Sequence, residues 1–140
     1  MKKNIVTDIS FLRKKSEQAT EEEAKSLIID LQDSLDLKKG VGLSAVQIGV
    51  LKQVSIVRLP NMKIDIINPV ILQKGNPFRF EGEGCLSLVG IRVDTRRYWR
   101  YSFVCKEILY NLEGIDAVVA QHEIDHILGL TILQRKWRAK

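Results

Sequence analysis

Between Ile115 and Leu128 an apolar stripe of Ile115, Val118 and Val119 at helical spacing runs into His122 and His126, and Gly129 follows. The spacing predicts a helix over 115–128. Both histidines of the 140-residue chain lie on it, in Gln121-His122-Glu123-Ile124-Asp125-His126. Residues four apart stack on one helical face, so two imidazoles can share one ion. Two core histidines satisfied by hydrogen bonds would explain the pair, but not the glutamate beside the first of them. A metal site is the expectation.

A catalytic ion needs a third protein ligand and an open position. Residues 127–140 contain no His, Cys, Asp or Glu, so that ligand must come from upstream. In Glu81-Gly82-Glu83-Gly84-Cys85-Leu86-Ser87, Cys85 lies in a glycine-rich setting where backbone can approach an ion or substrate closely. Cys105 competes, but it ends an aromatic-rich run where a small buried strand residue is the ordinary explanation. Cys85 is favoured; Cys105 or an acidic residue remains open. Three ligands leave a coordination position free, which argues against a purely structural ion. Gly40-Val41-Gly42-Leu43-Ser44-Ala45-Val46-Gln47-Ile48-Gly49 lacks the lysine and Ser/Thr of a phosphate-binding loop, and it reads as a turn in which Gln47 could offer an amide to an oxyanion.

Thr20 and Glu23 have capping-box spacing, and Ala24, Leu27, Ile28, Leu31 and Leu35 share a face, so a first helix is expected from Thr20 until Gly40 and Gly42 break it. The runs Gln53–Leu59, Lys63–Asn68, Val70–Gln73 and Arg97–Leu109 look like antiparallel strands separated by turns such as Gly75-Asn76-Pro77. The fold class is α+β, with antiparallel strands around a central helix carrying the histidines and another helix near the N-terminus. No repeat or linker divides the chain, so residues 1–140 are read as one domain. With 45% hydrophobic residues, such a domain can bury a core without disulfides. Nothing approaches the roughly 18 consecutive apolar residues of a membrane span, and no export signal opens the chain. The expected setting is the cytoplasm, with reduced thiols. A net charge of +5 favours nearness to a polyanion such as ribosomal RNA, and the basic run at residues 135–140 reads as a solvated terminus without function.

Three segments in order, Gly42-Leu43-Ser44-Ala45-Val46-Gln47, Glu83-Gly84-Cys85-Leu86-Ser87 and His122-Glu123-Ile124-Asp125-His126, resemble the signature motifs of the peptide deformylase family. The resemblance spans about Phe11 to Leu133. It implies a metallohydrolase that removes the N-formyl group from the formyl-methionine of nascent polypeptides. By resemblance Cys85, His122 and His126 hold one divalent metal, with Fe(2+) favoured and Zn(2+), Ni(2+) or Co(2+) as substitutes. Glu123 is then general acid and base, and Gln47 with the Leu86 N–H stabilises the oxyanion. Val41, Gly42 and Gly84 would pair with an extended substrate, Val118 and Val119 would line a methionine pocket, and Arg92 would lie near the entrance. Core packing explains the two valines equally well, and an ordinary surface charge explains Arg92. Asp125 would anchor the helix, paired with Arg97. The implied partners are formyl-methionyl peptides and a transient ribosome contact; a monomer is expected, with no membrane or DNA partner. The chain departs from the family in lacking a proline at Val89, in Ser44 replacing a frequent alanine, and in stopping soon after the second helix, as in compact forms encoded by bacteriophages. A different metal-dependent amidase, or a non-enzymatic basic module, are the competing readings.

Overall fold

The computed structural model describes residues 1–138; Ala139 and Lys140, the end of the basic run, lie outside the described residues. In chain order come a short turn of helix α1 (Ile9–Leu12), helix α2 (Glu21–Lys38), strands β1 (Gly42–Ser44), β2 (Val54–Arg58), β3 (Lys63–Ile67), β4 (Val70–Cys85), β5 (Leu88–Cys105) and β6 (Ile108–Glu113), and helix α3 (Gly114–Ile127). A 3-10 turn follows β1 at Ala45–Ile48 and another lies at Ile132–Arg135. The strands form two antiparallel sheets, β1-β2-β3 and β4-β5-β6, so the fold is α+β.

Helix α2 starts where its sequence says it should. The Thr20 hydroxyl accepts from the Glu23 N–H at 3.1 Å and the Glu23 carboxylate accepts from the Thr20 N–H at 2.9 Å, which satisfies two otherwise orphaned donors. Its apolar face, Ala24, Leu27, Leu31 and Leu35, is buried in one core with Leu43 of β1 and Val54 and Ile56 of β2. Helix α3 has no side-chain cap at Glu113, and Gly114 supplies a positive φ of 65° at the bend from β6 into the helix. It contacts β1, β2, β5 and β6, and Ala117, Ala120, Ile124 and Ile127 share a second core with Tyr101, Phe103 and Cys105.

Three expectations need correction. Residues 40–49, read as a turn, hold strand β1 at Gly42–Ser44 before its 3-10 turn. The run Val70–Gln73 is only the start of β4, which has 16 residues and passes straight through Gly75-Asn76-Pro77. Because β4 is an edge strand, the missing N–H of Pro77 is tolerated there, and Asn76 takes a φ of 57°. Nor is Arg97–Leu109 one strand: β5 ends at Cys105, and β6 begins at Ile108 after a two-residue turn. Lys106 and Glu107 have φ of 51° and 64°, conformations that asparagine and glycine usually occupy, so their side chains carried no turn signal.

Candidate metal and catalytic site

His122 and His126 project from one face of α3 with ring centroids 5.0 Å apart. The Cys85 thiol, at the end of β4, is 3.5 Å from His126 Nε2. Ligand atoms of Cys85, His122 and His126 fall within 4.8 Å of one another. Cys105 does not join them: it is buried in the other core with its thiol 3.7 Å from the Asp65 carbonyl.

The path of β4 explains how Cys85 arrives. Register shifts between Phe80 and Glu83, and again between Glu83 and Cys85, mark irregular pairing with β5, and Gly82 has a φ of 66°. Bulges of this kind re-aim side chains. Here Glu83 turns inward, 5% exposed, and its Oε2 lies 2.7 Å from His122 Nδ1. That contact orients the ring and leaves Nε2 for a ligand. Glu83 also accepts from Thr95 Oγ1 at 2.6 Å and from Arg97 Nε and Nη2 at 2.8 and 2.6 Å. Arg97, 2% exposed, donates through Nη1 to Asp125 Oδ2 at 2.6 Å, the pairing expected from the motif. Arg135 donates to both oxygens of Asp125, from Nη2 to Oδ1 at 2.9 Å and from Nε to Oδ2, shared with Arg97, at 3.0 Å.

From the opposite side, β1 and the turn after it bring in Ser44 and Gln47. Gln47 Oε1 accepts from the Ser44 N–H at 3.0 Å, which leaves Nε2 to reach Ser87 Oγ at 3.1 Å and the Cys85 thiol at 3.7 Å. Ser44 Oγ lies 3.0 Å from Glu123 Oε1. A Cβ on Gly42 would come within 2.6 Å of Glu123 Oε2, so the glycine makes room for that carboxylate.

These groups line a cavity of about 460 Å³ whose walls include Val41, Gly42, Gln47, Gly84, Cys85, Leu86, Arg92, Val118, Val119, His122 and Glu123. Of the metal-ligating, catalytic and substrate-binding residues expected from the sequence, all but His126 line it. Val118 is buried and Val119 also packs against the core, so both serve packing as well as the cavity wall. Arg92 lies across Gly84, with Nη1 3.4 Å from the Gly82 carbonyl. Val89, where the proline is missing, is exposed near the start of β5.

The electrostatics suit a cation. Burial alone would lower the His122 pKa, but the charges of Glu123, Cys85 and Glu83 hold it well above the ordinary histidine range. Burial, reinforced by the charge of His122, pushes His126 well below that range. Burial would likewise raise Glu83, yet hydrogen bonds from His122 and Arg97 bring it to about 2. Burial lifts Glu123 above the usual carboxylate range against the opposing pull of His122 and Ser44. His126 Nδ1 is buried with no hydrogen-bond partner among the described residues. An imidazole so poorly satisfied, facing a thiol and a second imidazole amid carboxylates, fits a divalent ion with soft and borderline ligands.

Glu83, Arg135, Ser87 and the hydroxyl of Ser44 are the participants that the sequence did not reveal. Glu83 and Ser87 sat inside a recognised motif, but their partners come from β5, α3 and the turn after β1, which no local spacing indicates.

A family model described as Polypeptide deformylase matches residues 2–140. The chain is 41% identical over 140 residues to the peptide deformylase of Clostridium beijerinckii, covering 94% of this chain and all of that one. It is 33% identical over 151 residues to that of Aquifex aeolicus, covering 97% and 89% of the two chains. The crystal structure of peptide deformylase from Thermotoga maritima superposes with a TM-score of 0.91 at 30% identity, covering 99% of each chain. Motifs, fold and relatives agree: the chain belongs to the peptide deformylase family, the hydrolases that remove the formyl group from new polypeptides.

Proposed function

We propose that the chain removes the formyl group from formyl-methionine in the cavity between β1, the end of β4 and α3, with Cys85, His122 and His126 as ligands of one divalent ion. The observation that carries this reading is the meeting of that ligand set with Glu123 and Gln47 at a single cavity wall. What a divalent ion supplies there is Lewis acidity, which lowers the pKa of water toward neutrality. Ferrous iron is the favoured ion, with zinc, nickel or cobalt as substitutes, since a thiolate and two imidazoles accept all of them.

Glu123 takes a proton from water as the oxygen adds to the formyl carbon. The Gln47 amide and the Leu86 N–H donate to the carbonyl oxygen as it gains negative charge, where a fixed donor is most effective. The C–N bond then breaks, and the proton held by Glu123 goes to the departing amine, leaving formate. Val41 and Gly42 lie at the free edge of β1, and Gly84 lies on β4, itself an edge strand. An extended peptide pairing with these edges would be held through its backbone, tolerating varied side chains after the methionine. Val118 and Val119 form the floor for the methionine side chain, and Arg92 stands at the rim. The Glu83–Arg97–Asp125 ion network holds His122 and α3 in place.

We read residues 1–140 as one catalytic domain, the two sheets packing around α3. The enzyme is read as a cytoplasmic monomer with a transient ribosome contact, consistent with its net charge of +5; among the described residues no helix is long and apolar enough to cross a membrane.

The test is formate release from a formyl-Met peptide by protein prepared without oxygen and loaded with ferrous iron. Glu123→Gln is expected to retain the metal and lose on the order of 10²–10⁴ in kcat. Full activity in that variant would refute the role of Glu123, and metal retained by Cys85→Ser but lost from Cys105→Ser would refute the ligand set.

A further inference from the structure

Ser44 ends β1, and Ser55 is its register partner on β2. Both hydroxyls are buried, the residues being 1% and 0% exposed, and their oxygens are 2.6 Å apart. Ser44 Oγ also lies 3.0 Å from Glu123 Oε1 and 3.1 Å from the Glu123 carbonyl oxygen. Each hydroxyl has one proton to donate. If Ser44 donated to Ser55, the Ser55 proton would be stranded, because Ser44 is the only side-chain partner of that hydroxyl among the described residues. The reverse polarity satisfies every group: Ser55 donates to Ser44, and Ser44 donates to Glu123, which owns both remaining acceptors.

The two oxygens of the Glu123 carboxylate therefore differ. Oε1 is tethered, while Oε2 lies against Gly42 on the cavity wall and has no hydrogen-bond partner among the described residues. We infer that Ser55 and Ser44 form a directed pair of hydroxyls that holds Glu123 by Oε1 and so aims Oε2 at the reacting water. Both are positioning residues that act through Glu123, and the inference rests on Glu123 being the general base. Its value to catalysis is geometric, because a displaced base forfeits rate even where substrate binding is intact.

Steady-state formate release by the metal-loaded full chain tests this with Ser44→Ala, Ser55→Ala, the double variant and Glu123→Gln. Loss of one hydrogen bond to a charged group predicts kcat about tenfold lower in Ser44→Ala, about threefold lower in Ser55→Ala, and KM within about twofold in both. The double variant should be no slower than Ser44→Ala, since Ser55 has no route to Glu123 except through Ser44. Metal content and thermal melting check that the folded protein is being compared. Unchanged kcat, a rise in KM instead, or losses that multiply in the double variant would overturn the inference. Should Ser44→Ala fail to fold, Ser55→Ala alone decides by the same kcat and KM criteria. An inactive Glu123→Gln beside a fully active Ser44→Ala would refute the hydroxyl pair and leave the general base standing, whereas an active Glu123→Gln would remove both.

Discussion

The two long helices solve different problems. Helix α2 is capped by its own side chains and buries Ala24, Leu27, Leu31 and Leu35, an aliphatic face against an aliphatic sheet. Helix α3 has no side-chain cap and buries Gln121, Glu123, Asp125 and His126 beside its apolar residues. Three of these buried polar groups on α3 are answered from elsewhere, and His126 keeps an unpartnered Nδ1 among the described residues. Gln121 exchanges hydrogen bonds with the Tyr98 backbone at 2.8 and 2.9 Å, Asp125 takes Arg97 and Arg135, and Ser44 reaches Glu123. Apolar burial is non-directional and tolerant, whereas buried charge is stable only with its partners in place. Helix α2 thus contributes stability, while α3 carries the proposed metal ligands and general base and depends on its neighbours to hold its buried polar groups.

Arg97→Leu should test that dependence most severely, because it leaves Glu83 and Asp125 buried without their shared cation. A loss of about 3–5 kcal/mol in urea denaturation is expected, together with reduced formate release as Glu83 loosens from His122. Unchanged stability would mean that α3 is held by packing alone. Leu31→Ala, at a fully buried position of α2, should cost about 2–5 kcal/mol yet leave kcat/KM of the folded protein within about twofold. Comparable loss of activity there would erase the distinction between the helices.

The ion network also sets an acid limit. The Glu83 carboxyl has an ordinary value of 4.5 and sits at about 2 in the folded protein, so folding favours its ionised form. Its contribution is complete above that ordinary value and fades as pH falls toward the folded one, on the order of 3 kcal/mol in total. Unfolding free energies measured from neutral pH down to about pH 3 should fall less steeply for Glu83→Gln than for the parent; parallel slopes would count against the assignment. The most local change leaves stability untouched. Gly42→Ala places a Cβ within 2.6 Å of Glu123 Oε2 and 2.9 Å of its Cγ. Displacing that carboxylate by roughly 1 Å should lower kcat/KM about a hundredfold while the melting temperature holds. Full activity would show that the oxygen beside Gly42 is not the reactive one.

Legibility in the sequence followed the range of each interaction. The capping box of Thr20 and Glu23 spans three residues, and the stacking of His122 on His126 spans four, so both could be read from spacing. The pairing of Asp125 with Arg97 was expected only from the resemblance of the motif to a known family. The turn at Lys106 and Glu107 was invisible because its left-handed conformations are imposed by the pairing of β5 with β6 rather than requested by the residues. Neither the motif around Glu83 nor the basic run that begins at Arg135 carries a local sign of the partners these residues find in Arg97, His122 and Asp125.

The amino-acid sequence by itself determined the side chains of the proposed ligand set, the helix that presents its two imidazoles, and the apolar face that buries α2, because each depends on residue type and on spacing within one or two turns. Only the tertiary structure decided which cysteine joins the histidines, which carboxylate steadies His122, and which oxygen of Glu123 is left free. Those outcomes depend on bulges in β4, on the register of β1 against β2 and on charged groups brought together across 14 to 39 residues of chain, and their energies exist only once water has been excluded from the space between them.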